Sequence, residues 1–404
     1  MGHLVRDFGG AVSDEPRAAL IGRDVLSAGG NAIDTVVAMY FTLAVTYPQA
    51  ATLGGGGVCV VHRRERDKGE VAAIDFRPSV IMRDGKAVAV PGAVRGFAAL
   101  HARYGKLKWE ELLLPAERFA RFGSQVSRAF ARELSALPPE VLSDPGLREL
   151  FTRDGAPLKE GETLHELRLS ATLARIRLRG GGDLYTGDFA HQLADGLSKM
   201  SGVPVTAADV RGYLPRWIET SNTRVGVHLL HVPAGPEGTE ALAAWVRTAD
   251  AAAMPQAPRG EPAFADSAGF GAIDLAGNGV ACVVSANGPF GAGRLIGSTG
   301  IVAAAPVAGA PVPGLPALLV NRARKDVVGA LTGAGRSSAR VQRAIAAGVR
   351  VFLRNQPLPA ALAPGDSEAR ANVIYCPRGA FDEPDDCRLA ADPAGSGLAT
   401  GAEN

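Results

Sequence analysis

The sequence predicts an α+β fold with strands from both ends of the chain and a helical section inserted between them. Three observations carry this. Short apolar, β-branched runs lie near residues 58–61 and 71–74, and again at 270–274, 279–285, 317–321 and 327–331. Between them, from Pro91 to about Trp217, apolar residues recur mostly at helical spacing. Gly- and Pro-rich stretches mark the joins.

Pro16–Ser27 reads as a helix, since Pro16 suits an early helical position and Gly29-Gly30 stops it. Asn31 caps a second helix, Ala32–Thr46, with Asp34 three residues on. That helix is apolar nearly all round and should be buried. Gly54-Gly55-Gly56-Gly57 leads into the strand Val58–Val61. It lacks the Gly-Lys-Ser/Thr pattern of a phosphate loop and runs from helix to strand, the wrong order for one, so close helix–sheet packing is the reading. Val71–Ile74 is the expected hairpin partner, and the mixed charges at 63–68 read as its solvated loop.

Amphipathic helices are expected over Gly92–Tyr104, Trp109–Phe122, Thr163–Arg179 and Asp188–Met200. Thr206 with Asp209 marks another helix start. Val225–Val232 reads as a strand and Thr239–Val246 as a helix. Residues 247–266, rich in Ala and Pro, form the clearest linker. Phe270–Asp274 and Gly279–Ser285 make a hairpin around a Gly-Asn turn. Pro306–Pro316 is a loop, Ala317–Asn321 and Val327–Leu331 are strands, and Ser337–Leu353 is a helix.

The chain has 404 residues, 47% hydrophobic and 21% charged, which indicates a folded globular protein of one large or two ordinary domains. A formal charge of +2 and the lack of any dense Lys/Arg block give no reason to expect nucleic acid as partner. No apolar run is long enough for a transmembrane helix, so no membrane contact is expected. The N-terminal residues show no signal-peptide core, which leaves the compartment open. Cys59 and Cys282 sit in apolar runs and are expected as buried thiols. Cys376 and Cys387 flank a Pro/Gly/Asp-rich turn, compatible with a disulfide and equally with two thiols. There is no CxxC and no clustered His/Cys set, which argues against a metal, and no cofactor is expected.

The most informative junction is Asp266-Ser267, just ahead of the hairpin. A chain cut there would give Ser267 a new α-amino group with a pKa of about 7.7–8.0, able to take the hydroxyl proton near neutral pH. The plain alternative is a serine in a loop entering a strand.

Several segments, in collinear order, resemble the γ-glutamyltransferase family (γ-glutamyl transpeptidase, or glutathione hydrolase). They are AGGNAIDTVVAMYFTLAVTYPQAATLGGGG at 28–57, AIDFR at 73–77, VPG at 90–92, YGKLKWEELLLPAERFARFG at 104–123, LYTGDFAHQLAD at 184–195 and VTAADVRGYLPRW at 205–217. VPAGPEGTEAL at 232–242, AIDLAGNGVACVVSAN at 272–287 and FGAG at 290–293 follow. The resemblance implies an N-terminal-nucleophile (Ntn) hydrolase αββα sandwich, made as one precursor that cuts itself. One domain over 1–404 would divide into a large-subunit-like part, 1–266, and a small-subunit-like part, 267–404. The implied substrate is a small amide or peptide such as glutathione, and the implied compartment is periplasmic or extracellular.

Residue by residue, Ser267 falls on the nucleophile, where the family has Thr. Ser285 replaces the Thr that supports the nucleophile's amine, and Gly335 lies in the oxyanion loop. Arg77 matches the arginine that grips a substrate carboxylate, which suits a planar guanidinium, and Asn287 matches a substrate-contacting Asn. A structural ion pair with a nearby Asp is the plain reading of Arg77.

Elsewhere the chain departs from the pattern. Ser267-Ala268-Gly269 stands for Thr-Thr-His. Ala304-Ala305-Pro306-Val307-Ala308-Gly309 lacks the carboxylate expected for the substrate amino group, and Val312-Pro313 replaces paired serines. Gly333-Ala334-Gly335-Arg336-Ser337 lacks a clean Gly-Gly pair, and the stretch between Val246 and Asp266 is short. The expected function is a self-processed amidase or transpeptidase. The alternative is an unprocessed relative that binds a ligand or protein without chemistry.

Overall fold

Alternation along the strands decides how the layers stack. The computed structural model describes residues 9–64, 69–235, 246, 266–307, 314–335, 338–354, 369–393 and 395–401. The chain begins with β1 (Gly10–Ser13), α1 (Pro16–Ser27) and α2 (Ala32–Thr46), then β2 (Gly56–Arg64), β3 (Gly69–Asp75) and the hairpin β4 (Ser79–Arg83) and β5 (Lys86–Val90). The helical section holds α3 (Ala93–Tyr104), α4 (Trp109–Phe122), β6 (Ser124–Gln125), α5 (Arg128–Ala136), α6 (Pro145–Phe151), β7 (Thr152–Arg153), β8 (Ala156–Pro157) and β9 (Thr163–Leu164). It closes with α7 (Leu167–Arg179), α8 (Gly187–Ser201) and α9 (Ala207–Gly212). Next come β10 (Arg216–Ile218), β11 (Thr220–Val225), β12 (His228–Pro233), β13 (Ser267–Ile273) and β14 (Gly279–Ser285). The chain ends with β15 (Gly314–Asn321), β16 (Asp326–Gly335), α10 (Ser338–Arg354), β17 (Ala369–Tyr375), β18 (Arg388–Ala390) and β19 (Leu398–Thr400).

Two sheets form the centre. One has the order β10-β3-β2-β14-β13-β1-β19 and the other β11-β12-β15-β16-β17-β18. Three cores separate four layers. Cys59, Val61, Phe270, Cys282 and Val284 pack toward α1–α4. Val60, Ala73, Ile273, Ala281, Leu318, Val327 and Ile374 fill the space between the sheets. Leu319, Leu331, Ile345, Val349 and Val373 pack the second sheet against α10. Each strand contributes to both of its neighbours because successive side chains point to opposite faces. The result is the expected αββα sandwich with an inserted helical section.

The buried helix is capped as the sequence indicates. The Asn31 side chain accepts from the Ile33 and Asp34 amides, Asp34 answers to the Asn31 amide, and every residue of α2 is buried. The same reciprocal box forms at Thr206 and Asp209. No helix among the described residues is long and apolar enough to cross a membrane.

Several expectations are corrected. Cys59 and Cys282 are not thiols but a disulfide, because antiparallel β2 and β14 set Cys59 directly opposite Cys282. Cys376 and Cys387 are also bonded. The Val225–Val232 segment is two strands, since Gly226 (φ 62°) turns the chain and pairs Val225 with His228. The helix expected from Thr163 starts at Leu167, because Thr163 and Leu164 pair with Gln125 and Ser124. The Gly54–Gly57 run packs on backbone rather than on a helix. A Cβ at Gly54 would lie 2.1 Å from the Val302 carbonyl, and one at Gly57 would lie 2.3 Å from that of Val283. The expected helix 239–246 and linker 247–266 lie outside the described residues, apart from Val246 and Asp266.

His62 is buried where β2 faces the second sheet, and its Nδ1 lies 3.1 Å from the Gly277 carbonyl oxygen. Burial pushes its pKa down to about 4 from an ordinary 6.5. The unfolded chain therefore binds the extra proton more readily between those values, and neutral His62 loses its stabilising effect as pH falls. His62→Asn keeps a donor for Gly277 without a titrating ring. In urea unfolding at stepped pH, wild type should lose stability relative to His62→Asn as pH falls from about 6.5 to about 4. A pH-independent difference would contradict the assignment.

Candidate functional site

Ser267 opens β13 and is completely buried. Ala268, Phe270 and Ala272 of this strand join the helix-facing core, so Ser267, Gly269 and Gly271 face the second sheet. Side chains are missing at Gly269 for a reason. A Cβ there would sit 2.6 Å from Thr332 Oγ1 of β16. The two sheets thus close tightly at Gly269, and Ser267 comes against the end of β16. The Gly335 amide donates to Ser267 Oγ (2.8 Å), and that hydroxyl donates to the Gly335 carbonyl (3.0 Å).

Ser285 ends β14 and lies directly opposite Ser267 in the ladder. Its hydroxyl donates to the carbonyl oxygen of Asp266 at 2.6 Å. This is the carbonyl of the Asp266–Ser267 bond. The Asn287 amide donates to Ser285 Oγ (2.9 Å), orienting the hydroxyl. To do so Asn287 takes a left-handed conformation (φ 61°), which Asn tolerates better than most residues. Its side-chain amide donates to the Ala305 carbonyl (3.0 Å), and the Ala305 amide donates to Ala286 (2.8 Å). The segment 304–305 therefore lies alongside 286–287.

Arg77 enters the same row through glycine. Ser267 pairs with Ser285, Ser285 pairs with Gly56, and a Cβ on Gly56 would lie 2.8 Å from Arg77 Cα. Three strand spacings separate the Arg77 and Ser267 backbones, about 14 Å. Arg77 makes a two-pronged pair with Asp75, Nε to Oδ1 at 3.1 Å and a terminal nitrogen to Oδ2 at 2.8 Å. Arg216 donates to the same Oδ2 at 2.8 Å. Burial pushes the Asp75 carboxyl up, but the bonds from Arg77 and Arg216 outweigh it and hold it below the ordinary value. Within this ion pair the Arg77 side chain is 38% exposed.

Behind Ser267 lies a buried polar network. Asp14 accepts from the Gly269 amide (2.7 Å), and its own amide donates to the Gly269 carbonyl (3.1 Å). Asn372 of β17 donates to Asp14 Oδ1 (2.8 Å) and to the Gly269 carbonyl (3.1 Å). Burial raises the Asp14 pKa, opposed by Arg370, the Gly269 amide and Asn372. Arg370, also buried, donates to Glu133 and Tyr47. These contacts lock β13 to β1 and β17 two residues past Ser267.

Four of the five sequence-derived residues thus meet by hydrogen bonds or strand pairing: Ser267, Ser285, Gly335 and Asn287. Arg77 stands in the same row, two strands from Ser285. The arrangement supplies a hydroxyl at a peptide bond, a second hydroxyl on that bond's carbonyl, and a backbone donor at the first hydroxyl. Sequence reasoning missed Asp14, Asn372 and Arg370. Asp14 stands just before the cap of α1 and reads locally as a helix-start residue, so no local signal points to Gly269.

The sequence profile of the gamma-glutamyltranspeptidase family matches residues 18–267. The chain is 34% identical over 233 residues to the glutathione hydrolase proenzyme of Escherichia coli (strain K12), covering 52% of this chain and 40% of that protein. With glutathione hydrolase 3 of Arabidopsis thaliana it shares 30% over 245 residues, 57% of this chain and 38% of that protein. The chain thus spans about two fifths of the length of the curated relatives it matches. The structure of Helicobacter pylori gamma-glutamyltranspeptidase superposes with a TM-score of 0.53 at 26% identity, covering 62% of this chain and 76% of that one. A cephalosporin acylase from Bacillus halodurans superposes with a TM-score of 0.73 over 100% of this chain and 98% of that one, at 17% identity, a likeness of fold alone. The fold is that of the N-terminal-nucleophile hydrolases, and the chain belongs to the gamma-glutamyltranspeptidase family.

Proposed function

We propose that the chain cuts itself between Asp266 and Ser267, and that the freed Ser267 then cleaves or transfers a carboxylate-bearing acyl group from a small amide. The observation that carries this is the 2.6 Å bond from Ser285 Oγ to the Asp266 carbonyl, beside the Ser267 hydroxyl. Ser267 Oγ attacks the Asp266 carbonyl carbon, and its proton passes to the Ser267 nitrogen as the C–N bond breaks. Ser285 donates to the oxyanion that forms, where a positioned donor contributes most. The resulting ester takes up one water, leaving a carboxylate on Asp266 and a free Ser267 with its own α-amine.

In the second reaction that amine takes the Ser267 proton as Oγ attacks the substrate amide. The Gly335 amide, already aimed at Oγ, serves the new oxyanion, and the leaving amine departs with the proton. Water or an acceptor amine then releases the acyl group. Arg77 anchors the substrate carboxylate and Asn287 borders the same end of β14. Relatives named as glutathione hydrolases support a γ-glutamyl or similar acyl group. The parts 1–266 and 267–404 would be the two subunits.

Cleavage followed on reduced protein tests the first step. Ser267→Ala should abolish it, and Ser285→Ala should slow it by about 10²–10³, the usual cost of one oxyanion donor. Unchanged cleavage in Ser267→Ala would mean another nucleophile. A wild-type chain that stays whole would favour the non-catalytic binding protein.

Substrate choice follows from what lies beside Asn287. Residues 302–307, the described segment beside Asn287, contain no acidic side chain, so nothing in that segment pairs with an ammonium next to the substrate carboxylate. A glutaryl anilide, which lacks that ammonium, should be cleaved within about tenfold of the γ-glutamyl anilide, a difference of at most ~1.4 kcal/mol. Arg77→Ala should raise KM for both by more than about tenfold on the same scale. A strong preference for the γ-glutamyl compound would contradict this reading of the site.

A further inference from the structure

One covalent bond crosses the proposed cut. Cys59 lies in β2 and Cys282 in β14, 223 residues apart, with the Asp266–Ser267 junction between them in sequence. The other disulfide, Cys376–Cys387, lies wholly on the far side of the junction, and no cysteine is free. We propose that the self-cleaved protein is a covalent two-chain molecule, with 1–266 held to 267–404 by Cys59–Cys282. This rests on the self-cleavage reading for its biological setting, though not for its test.

The tether's position gives it an effect on the site. Cys282 is three residues from Ser285 on the same strand, and Cys59 is three from Gly56, the glycine that admits Arg77. The bond therefore staples the two strands that join the carboxylate-binding side to the nucleophile side. Both sulfurs belong to residues with no exposed surface, packed among the helix-facing core. Forming the bond removes two protons and two electrons from the thiols. A disulfide-donating oxidant takes them and becomes a dithiol, which places maturation in an oxidising compartment. Once buried, the bond is shielded from attacking thiolates until the sheet opens. The halves cannot part by dilution, because each stays at the high effective concentration of a linked pair.

The test is a denaturing gel of alkylated protein with and without reductant. The expected pattern is one species without reductant and two with it, the smaller beginning at Ser267. Two species without reductant would overturn the tether while leaving self-cleavage intact. If the chain stays whole in both lanes, self-cleavage fails, and a second arm decides the tether. A protease recognition sequence is placed within 247–265 and the folded protein is cut there. The nicked halves should run together until denatured and reduced, and should separate without reductant in a Cys59→Ser/Cys282→Ser variant. Separation of the wild-type halves without reductant overturns the proposal. Native nicked protein exposed to reductant and alkylated before unfolding should still run as one species.

Discussion

Everything at this site depends on one contact between the sheets, the paired hydrogen bonds of Ser267 Oγ with the Gly335 amide and carbonyl. A hydroxyl has one proton, and here it goes to the Gly335 carbonyl while Oγ accepts from the Gly335 amide. It fixes where Oγ stands relative to the peptide bond in front of it. The contact exists only because Gly269 allows β13 to approach β16. A side chain there would press on Thr332 Oγ1 of β16, close to where Ser267 meets Gly335.

The remaining residues are aligned by strand register rather than by side-chain reach. Antiparallel pairing sets Ser267 against Ser285 and Ser285 against Gly56, and Gly56 admits Arg77. A one-residue slip in any of these ladders would turn its side chains to the opposite face. Two features resist that slip. Asp14 and Asn372 grip Gly269 through buried hydrogen bonds, which are costly to leave unmade. The Cys59–Cys282 bond pins β2 to β14. Ser267 hydroxyl geometry is thus the outcome of a sheet held on both sides.

Much of the fold was legible because its signals are local. The caps at Asn31 and Thr206, the apolar girth of α2 and the Gly-Asn turn between β13 and β14 are each read within a few residues. The resemblance placed Ser267, Ser285, Asn287 and Gly335 at one site, and their hydrogen bonds bring them together. What stayed hidden depends on distant pairing. Four-residue β1 carries no periodicity, yet it brings Asp14 to Gly269. Cys59 and Cys282 each look like apolar strand residues, and only the β2–β14 register shows them to be partners. The hydrogen bond from Ser285 to the Asp266 carbonyl is invisible for the same reason, since it needs both strands in place. Arg77 makes the structural ion pair with Asp75 that its plain sequence reading expects.

In the proposed reading, a hydroxyl at the Asp266–Ser267 bond is joined to a segment, 302–307, without an acidic side chain. Such a protein is defined first by whether its backbone opens at one bond. N-terminal sequencing of reduced, purified wild-type protein after prolonged incubation tests this most directly. The account predicts a second terminus reading Ser-Ala-Gly-Phe, in step with the first. A single terminus, with every chain running unbroken through Asp266–Ser267, would contradict it.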